Sequence, residues 1–561
     1  LQRTDFWYSG YPGVTLENIR RNALIHDGLM RATNASEARD WLDMLASVKR
    51  PDQEIETPEI QTLILRGLGS MPAMACGLVR LDPRANLATW TAALTGSVNF
   101  GNEDPDPHRW EQRLWSQMMA GDRRPLPAQP TATFVAFTAT GLTKLGLPAP
   151  DSGTGLGAFL APFNQGMGGR ARVLRDGGPS SPLAWGWSDA SPWTGRPENE
   201  RTVDAVLLVY GVNPATCQGV INAHVAAHGL TLVKTITCPV RPVLENGLRA
   251  EPFGFADGIS NPVIKGLRGD PGLAADQVAP GEILLGYPHM RGGLPPTCEI
   301  PAYLDPMDLL PAIRGETYRR YPAFGLETGA GADHDFGRNG AFLVVRQLEQ
   351  DVAGFIDYTQ KTAAGLAAQA GAPAVDADWV AAKMLGRWRD GSPVVLYPDR
   401  QPRRPDMTND FLYATLDPRG FACPLGSHVR RTNPRDSLMA DDLKTPNHIS
   451  SHRILRRGRA YEETDPDGRR REGLVFLAAC SDLERQFEFV QQSWIGDPSF
   501  HGLTGESDPV VDTNGRLQDL SLPDGRTVRR LQGIPAFVTV RGGAYFFMPS
   551  RSALNFLASL N

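Results

Sequence analysis

The sequence predicts an α+β protein built of two ferredoxin-like halves, and three observations carry that reading. Strand-sized apolar runs alternate with helical periods in the order β-α-β, β-α-β between residues 60 and 237. The same order restarts after a long Pro/Gly-rich excursion at Lys265–Phe336. The longest apolar runs, such as Ala205–Tyr210 and Gly473–Ala479, fall far short of the roughly 20 residues that cross a bilayer, so they read as core strands.

Taken in order, residues 1–56 are mixed and polar, with helical stretches around Leu16–Met30 and Ala38–Val48, and read as an N-terminal extension. Residues 57–264 form the first half. Ile60–Arg66 (IQTLILR) reads as a strand, and Leu87, Trp90 and Leu94 recur at helical spacing. Asn99–Pro130, rich in Pro, Asp and Trp, reads as a surface insertion. Thr133–Phe137 is the next strand, followed by a helix that stops at Gly146-Leu147-Pro148. Ala149–Pro197 is an ordered loop, because its tryptophans need somewhere to pack. Val203–Tyr210 is a strand, Asn213 caps a helix with Pro214 at its first position and Gly229 beyond its end, and Leu230–Thr237 closes the half. Residues 265–337 read as a long insertion and 338–561 as the second half. There Ala341–Arg346 and Leu474–Ala479 are strands, and Asp351–Ala370, Asp376–Leu385 and Leu483–Gln492 are helical. Ala536–Arg541 and Tyr545–Met548 form a hairpin turning at Gly542-Gly543.

Composition narrows the function. Across 561 residues, 57 Lys and Arg face 62 Asp and Glu, a net charge of −5, so no global basic field exists to hold nucleic acid or an anionic membrane. The arginines are local instruments. Six cysteines (Cys76, Cys217, Cys238, Cys298, Cys423 and Cys480) show no CxxC or zinc-like spacing, which fits reduced thiols in a cytoplasmic chain. The opening Leu-Gln-Arg-Thr-Asp carries neither an initiator Met nor an apolar leader; the expectation is a translation start elsewhere, compatible with a removed signal.

Chemistry-bearing residues concentrate in Cys423–Gly458. His428 is followed by Arg430, Arg431 and Arg435, and a second basic run holds Arg453, Arg456, Arg457 and Arg459. One imidazole with guanidinium groups at two distances suits a cofactor that needs an axial nitrogen and carries carboxylates, which is the description of haem. Its partner is Gly254–Gly258, inside EPFGFADGISNPVIKG. Asp-Gly is also a common turn signal. Here the stretch is long, apolar on both sides and follows a strand, so it places one carboxylate on a backbone able to press against a flat ligand.

The GxxDG at Gly254–Gly258, the segment SHVRRTNPR around His428 and HRILRRG at His452–Gly458 resemble, in order, the three signature segments of the dye-decolorizing (DyP-type) haem peroxidases. The similarity runs from EIQTLILRGLG at Glu59 through FVAFTATGLTKLGLP and FGRNGAFLVVRQLEQDV to FVTVRGGAYFFMP. The resemblance implies two ferredoxin-like halves forming a dimeric α/β-barrel-type sandwich with haem b between the halves, H2O2 as oxidant, and dyes or phenolics as one-electron reductants. It makes His428 the proximal iron ligand and places Asp257 and Arg456 as catalytic residues on the distal face. Gly258 and Ile259 become cofactor contacts, Arg430 and Arg435 propionate partners, and Glu488 the acid that accepts from the ligand imidazole. Composition alone leaves Arg453, Arg456 and Arg457 open as the distal arginine; the family's pattern favours Arg456. Gly458 stands where some relatives carry a polar side chain. Trp388, Tyr413, Tyr461 and Trp494 lie near the motifs as possible electron routes, each reading first as core packing. The alternative function is a haem carrier or sensor without efficient turnover.

Overall fold

The computed structural model describes residues 54–560 apart from 83, 102–129, 150–158, 160, 191–198, 268–275, 291–293, 314–332, 369–374, 439–446, 466 and 524–526. Nearly all of the expected N-terminal extension and most of the 99–130 insertion lie outside the described residues.

The first set of strands is β1 (Ala73–Arg80), β2 (Thr131–Phe137), β3 (Ala205–Gly211) and β4 (Thr231–Cys238), interleaved with helices α1 (Leu87–Ser97), α2 (Ala139–Lys144) and α3 (Pro214–His228). They pair antiparallel in the order β4-β1-β3-β2. The second set begins with β5 (Ala341–Gln350) and helices α4 (Val352–Ala367), α5 (Ala377–Leu385) and α6 (His428–Thr432). It continues with β6 (Leu455–Arg456), β7 (Arg459–Thr464), β8 (Arg470–Cys480) and β9 (Val538–Met548). Here β9-β5-β8 are neighbours and both β6 and β7 pair with β8, so the same 4-1-3-2 order recurs. Each set is therefore a ferredoxin-like unit.

The two units share one sheet, joined where Phe547 of β9 pairs with Phe137 of β2. At the other end Lys234 of β4 pairs with Glu463 of β7 at 2.9 Å, and Arg241 with Glu462 at 2.9 Å, so the sheet curls toward a barrel. Strand alternation sorts the core accordingly. Met74, Cys76 and Leu78 face an interior shared with Leu208, Leu343 and Phe546, while Ala75 and Val79 face outward among Trp90 of α1 and Ile221 of α3.

Local chemistry explains the helices that the sequence made visible. The Asn213 side chain accepts from the Thr216 N–H at 2.9 Å and Gly229 closes α3 at φ +66°. Asp351 and Asp376 cap α4 and α5 in the same way.

Three expectations are corrected. Ile60–Arg66 is not a strand: Thr62–Leu65 is a helical turn, and the first strand is Ala73–Arg80. The Gln61 amide instead exchanges two hydrogen bonds with Val135 (2.9 and 3.1 Å), serving backbone groups of β2 that no strand covers on that side. The hairpin at Gly542-Gly543 is one continuous strand, β9. A Cβ on Gly542 would meet the Trp187 indole and one on Gly543 the Met167 sulfur, so these glycines permit close packing and not a turn. The helix expected at Leu483–Gln492 forms as two wide π-type stretches, Glu484–Glu488 and Val490–Ile495. The sequence reading also missed β7, whose polar pattern (RAYEET) hides a strand.

Candidate active site

A cavity of about 280 Å³ opens on the outer face of the second unit's sheet. Arg346, Leu348 and Gln350 of β5 and Leu474 and Phe476 of β8 floor it. One wall carries His428; the loop Glu251–Ser260, which follows the first unit, and Arg456 of β6 supply another.

The His428 wall is held by its arginines. His428 opens α6 directly after Ser427, whose hydroxyl donates to the Lys383 carbonyl at 2.7 Å. Arg430 is fully buried; it donates to Cys423 O at 2.7 Å and to Asp417 O and Oδ2 at 2.8 and 3.1 Å, with its guanidinium 4.4 Å from the Tyr413 ring centre. Arg431 donates to Trp494 O and Glu506 O, both at 2.7 Å. Arg435, at φ +55°, donates to Asn409 O and Oδ1 at 2.9 and 3.2 Å and lies over Phe411.

His428 Nδ1 lies 2.8 Å from Oδ2 of the fully buried Asp508. The other Asp508 oxygen accepts from the Val510 and Val511 N–H groups, both at 2.9 Å. Burial works to raise the Asp508 pKa, but the His428 charge and hydrogen bond, the Val511 N–H and Arg431 outweigh it and hold the carboxyl below its ordinary range. An ionised acceptor on Nδ1 puts the ring proton there and leaves the Nε2 lone pair for a ligand role.

On the opposite wall Asp257 is exposed to the cavity, its Oδ1 accepting from the Gly258 N–H at 2.6 Å. Its loop is tied down from several directions. Asn261 accepts from the Arg456 N–H at 3.0 Å, Asn409 donates to Ile259 O at 2.9 Å, and the Ala256 N–H donates to Arg389 O at 2.8 Å.

The second basic run sorts itself by partner. Arg457 donates to Leu63 O and Ile64 O, and Arg459 to Leu68 O, plugging the barrel end. Arg453 pairs with Asp276 at 3.3 Å; burial pulls its pKa down to about 10, with Asp276 opposing. Arg456 lines the cavity, and among the described residues its guanidinium has no hydrogen-bonded partner.

No family model matches the chain. It is 29% identical over 461 residues to Peroxidase 2 of Mycetinis scorodonius, covering 76% of each chain. It is 34% identical over 238 residues to the Multifunctional dye peroxidase DyP2 of an Amycolatopsis species, covering 39% of this chain and 49% of that one. Over 352 residues it is 30% identical to the Dye-decolorizing peroxidase of Exidia glandulosa, 58% of each. The relatives this chain matches are thus named as peroxidases, among them dye-decolorizing peroxidases. It spans about half to three quarters of the length of these relatives. The solved fungal DyP-type peroxidase of Auricularia auricula-judae shares the fold with a TM-score of 0.65 at 23% identity, over 90% of this chain and all of that one. An ancestral D-type dye-decolorizing peroxidase superposes with a TM-score of 0.65 at 24% identity, over 90% and 99%.

The cavity gathers His428, Asp257, Gly258, Ile259 and Arg456. Arg430, Arg435 and Glu488 do not line it. These three placements depart from the sequence reading. The acceptor for His428 is Asp508; Glu488 binds Arg170 at 2.5 and 2.9 Å and the Tyr545 hydroxyl at 2.9 Å. The Nη donors of Arg430 and Arg435 go to backbone and to Asp417 and Asn409, and neither side chain lines the cavity. Sequence reasoning also missed Arg387, which lines the cavity and donates to Asn409 Oδ1 at 2.7 Å. The local Asp-Pro-Val-Val stretch at 508–511 signals a turn, but nothing local signals a partner 80 residues away. Of the aromatics singled out, Trp388 lines the cavity and all four are buried.

Proposed function

We propose that this chain is a DyP-type peroxidase that holds haem b in the cavity through His428 and uses H2O2 to oxidise bulky organic reductants, dyes and phenolics, in one-electron steps. One observation carries the reading: an imidazole with Nδ1 anchored on Asp508 and a carboxylate with an unengaged guanidinium line the same cavity. The donor set fits the cofactor. His428 offers a neutral nitrogen, Ile259, Val429, Phe476, Phe487 and Val490 offer apolar contact, and the buried Arg453 Nη2 has no partner, as a propionate site requires. Haem, when bound, supplies the two-electron reduction of peroxide and the one-electron oxidations that follow.

The residues of the chain then divide the work. Asp508 fixes the tautomer of His428 and increases its basicity. Asp257 is placed to take a proton from one peroxide oxygen and return it to the other, departing oxygen. Arg456 presents a positive charge to that oxygen as negative charge builds, and the apolar floor of Leu474 and Phe476 strengthens the effect by excluding water. Arg453 is the cavity-facing donor for a cofactor carboxylate.

The test is stopped-flow mixing of haem-reconstituted protein with H2O2. Wild type gives a rapid, defined spectral change that phenols reverse; Asp257→Asn and Arg456→Leu slow it with the haem retained. Bleaching without a defined change in wild type would mark a carrier and overturn the reading.

A further inference from the structure

We infer that Glu251 is a positioning residue for this reaction: its half-buried carboxylate clips the 251–255 turn shut and thereby helps set where Asp257 stands in the cavity. The inference rests on the reading that Asp257 moves the proton. Ala250 and Ala256 form a β-bridge, and the five residues between them make a tight tip. Its backbone closes through Glu251 N to Phe255 O (2.9 Å) and Gly254 N to Glu251 O (2.8 Å), with Gly254 at φ +92°.

Two N–H groups of the tip have no backbone acceptor, and Glu251 takes both. Oε2 accepts from Phe253 N at 3.0 Å and Oε1 from Phe255 N at 2.9 Å. A third donor, Gln350 Nε2, reaches Oε2 at 2.8 Å from the last residue of β5, so the clip is fastened to the cavity floor. Without the carboxylate those donors would lose the acceptor they share. Burial pushes the Glu251 pKa up and the nearby Asp257 charge adds to this, while Gln350 and the two N–H groups oppose it. A carboxylate is thus held in a place that disfavours it, where it only accepts.

The Ala256, Ile259 and Asn261 contacts hold the backbone on either side of Asp257, and the clip holds the tip end of its arm. Among the described residues the Asp257 side chain is held only by the neighbouring Gly258 N–H, and its backbone N–H donates to Arg249 O at 3.1 Å, on the other arm of the same hairpin. If the tip relaxes, the arm bearing Asp257 shifts. A displacement near 1 Å costs on the order of 10²-fold in a proton-transfer geometry.

The experiment compares Glu251→Gln, Glu251→Asp, Gln350→Leu and Asp257→Asn as haem-reconstituted proteins. Each is mixed with H2O2, and backbone hydrogen exchange of 251–258 is measured in parallel. In Glu251→Gln the Soret band is retained, exchange in 251–258 quickens, and the second-order rate with peroxide falls about 10- to 100-fold. Glu251→Asp, charged but one methylene short of spanning both N–H groups, is slowed similarly. Wild-type rate and exchange in Glu251→Gln would overturn the inference, as would a fully active Glu251→Asp beside a slow Glu251→Gln, which would make charge and not the clip the cause. Should Glu251→Gln fail to fold, Gln350→Leu decides: a slower peroxide reaction with faster exchange supports the clip, and wild-type behaviour overturns it. An Asp257→Asn rate equal to wild type would instead sink the proposed role of Asp257, separately from that of Glu251.

Discussion

The two walls of the cavity are built to opposite rules. On the His428 wall every charge is spent inside the protein: Arg430 on Asp417 and Cys423, Arg431 on Trp494 and Glu506, and Asp508 on His428 and two N–H groups. On the Asp257 wall the carboxylate is exposed and the Arg456 guanidinium is unengaged among the described residues. A wall whose charged groups are engaged inside the protein holds an imidazole in one orientation. An under-partnered wall keeps its groups available for a small reactant. The basic residues around His428 therefore hold the helix that bears the histidine, while Arg456, Arg453 and, from β5, Arg346 line the cavity with guanidinium donors that have no partner among the described residues.

Substitutions on either side sharpen the contrast. Arg430→Met leaves the buried Asp417 carboxylate without its cation, held by the Phe421 and Cys423 N–H groups alone, and is expected to cost about 3–5 kcal/mol in denaturant unfolding; a loss under about 1 kcal/mol would mean the wall is not built on that pair. Arg456→Leu is expected to leave unfolding nearly unchanged while slowing the reaction with peroxide about 10²- to 10³-fold by stopped flow. A large stability loss there would place Arg456 with the structural arginines. Asp508→Asn removes the charged acceptor from His428 Nδ1 and is expected to weaken haem affinity about 10- to 100-fold in a titration. Arg435→Lys gives up the fork onto Asn409 and is expected to cost about 0.5–1.5 kcal/mol with haem content unchanged; reduced haem content would return Arg435 to the cofactor.

Sequence legibility followed the range of the interaction. The α3 helix was readable because Asn213, Pro214 and Gly229 state its ends within the segment itself. The three motifs could be placed in one site because their residue types carry the chemistry, and Asp257, His428 and Arg456 do line one cavity. What failed depended on partners elsewhere. Gly542-Gly543 reads as a turn until Trp187 and Met167 are seen pressed against it. Glu488 was an acid of the right type in the right half, but Arg170 and Tyr545 occupy it, while Asp508 comes from a loop with no local mark of its role. Ile60–Arg66 is too short for its period to separate strand from helix, and the edge it covers on β2 decides the matter.

The central claim is that one imidazole anchors the cofactor from the His428 wall. It is tested most directly by titrating wild type and His428→Gly with haem b and recording the Soret band with and without added imidazole. The account expects strong binding in wild type, weak binding in His428→Gly, and recovery of the wild-type spectrum when imidazole fills the gap beside Asp508. A His428→Gly protein that binds haem with wild-type affinity and an unchanged spectrum would contradict it.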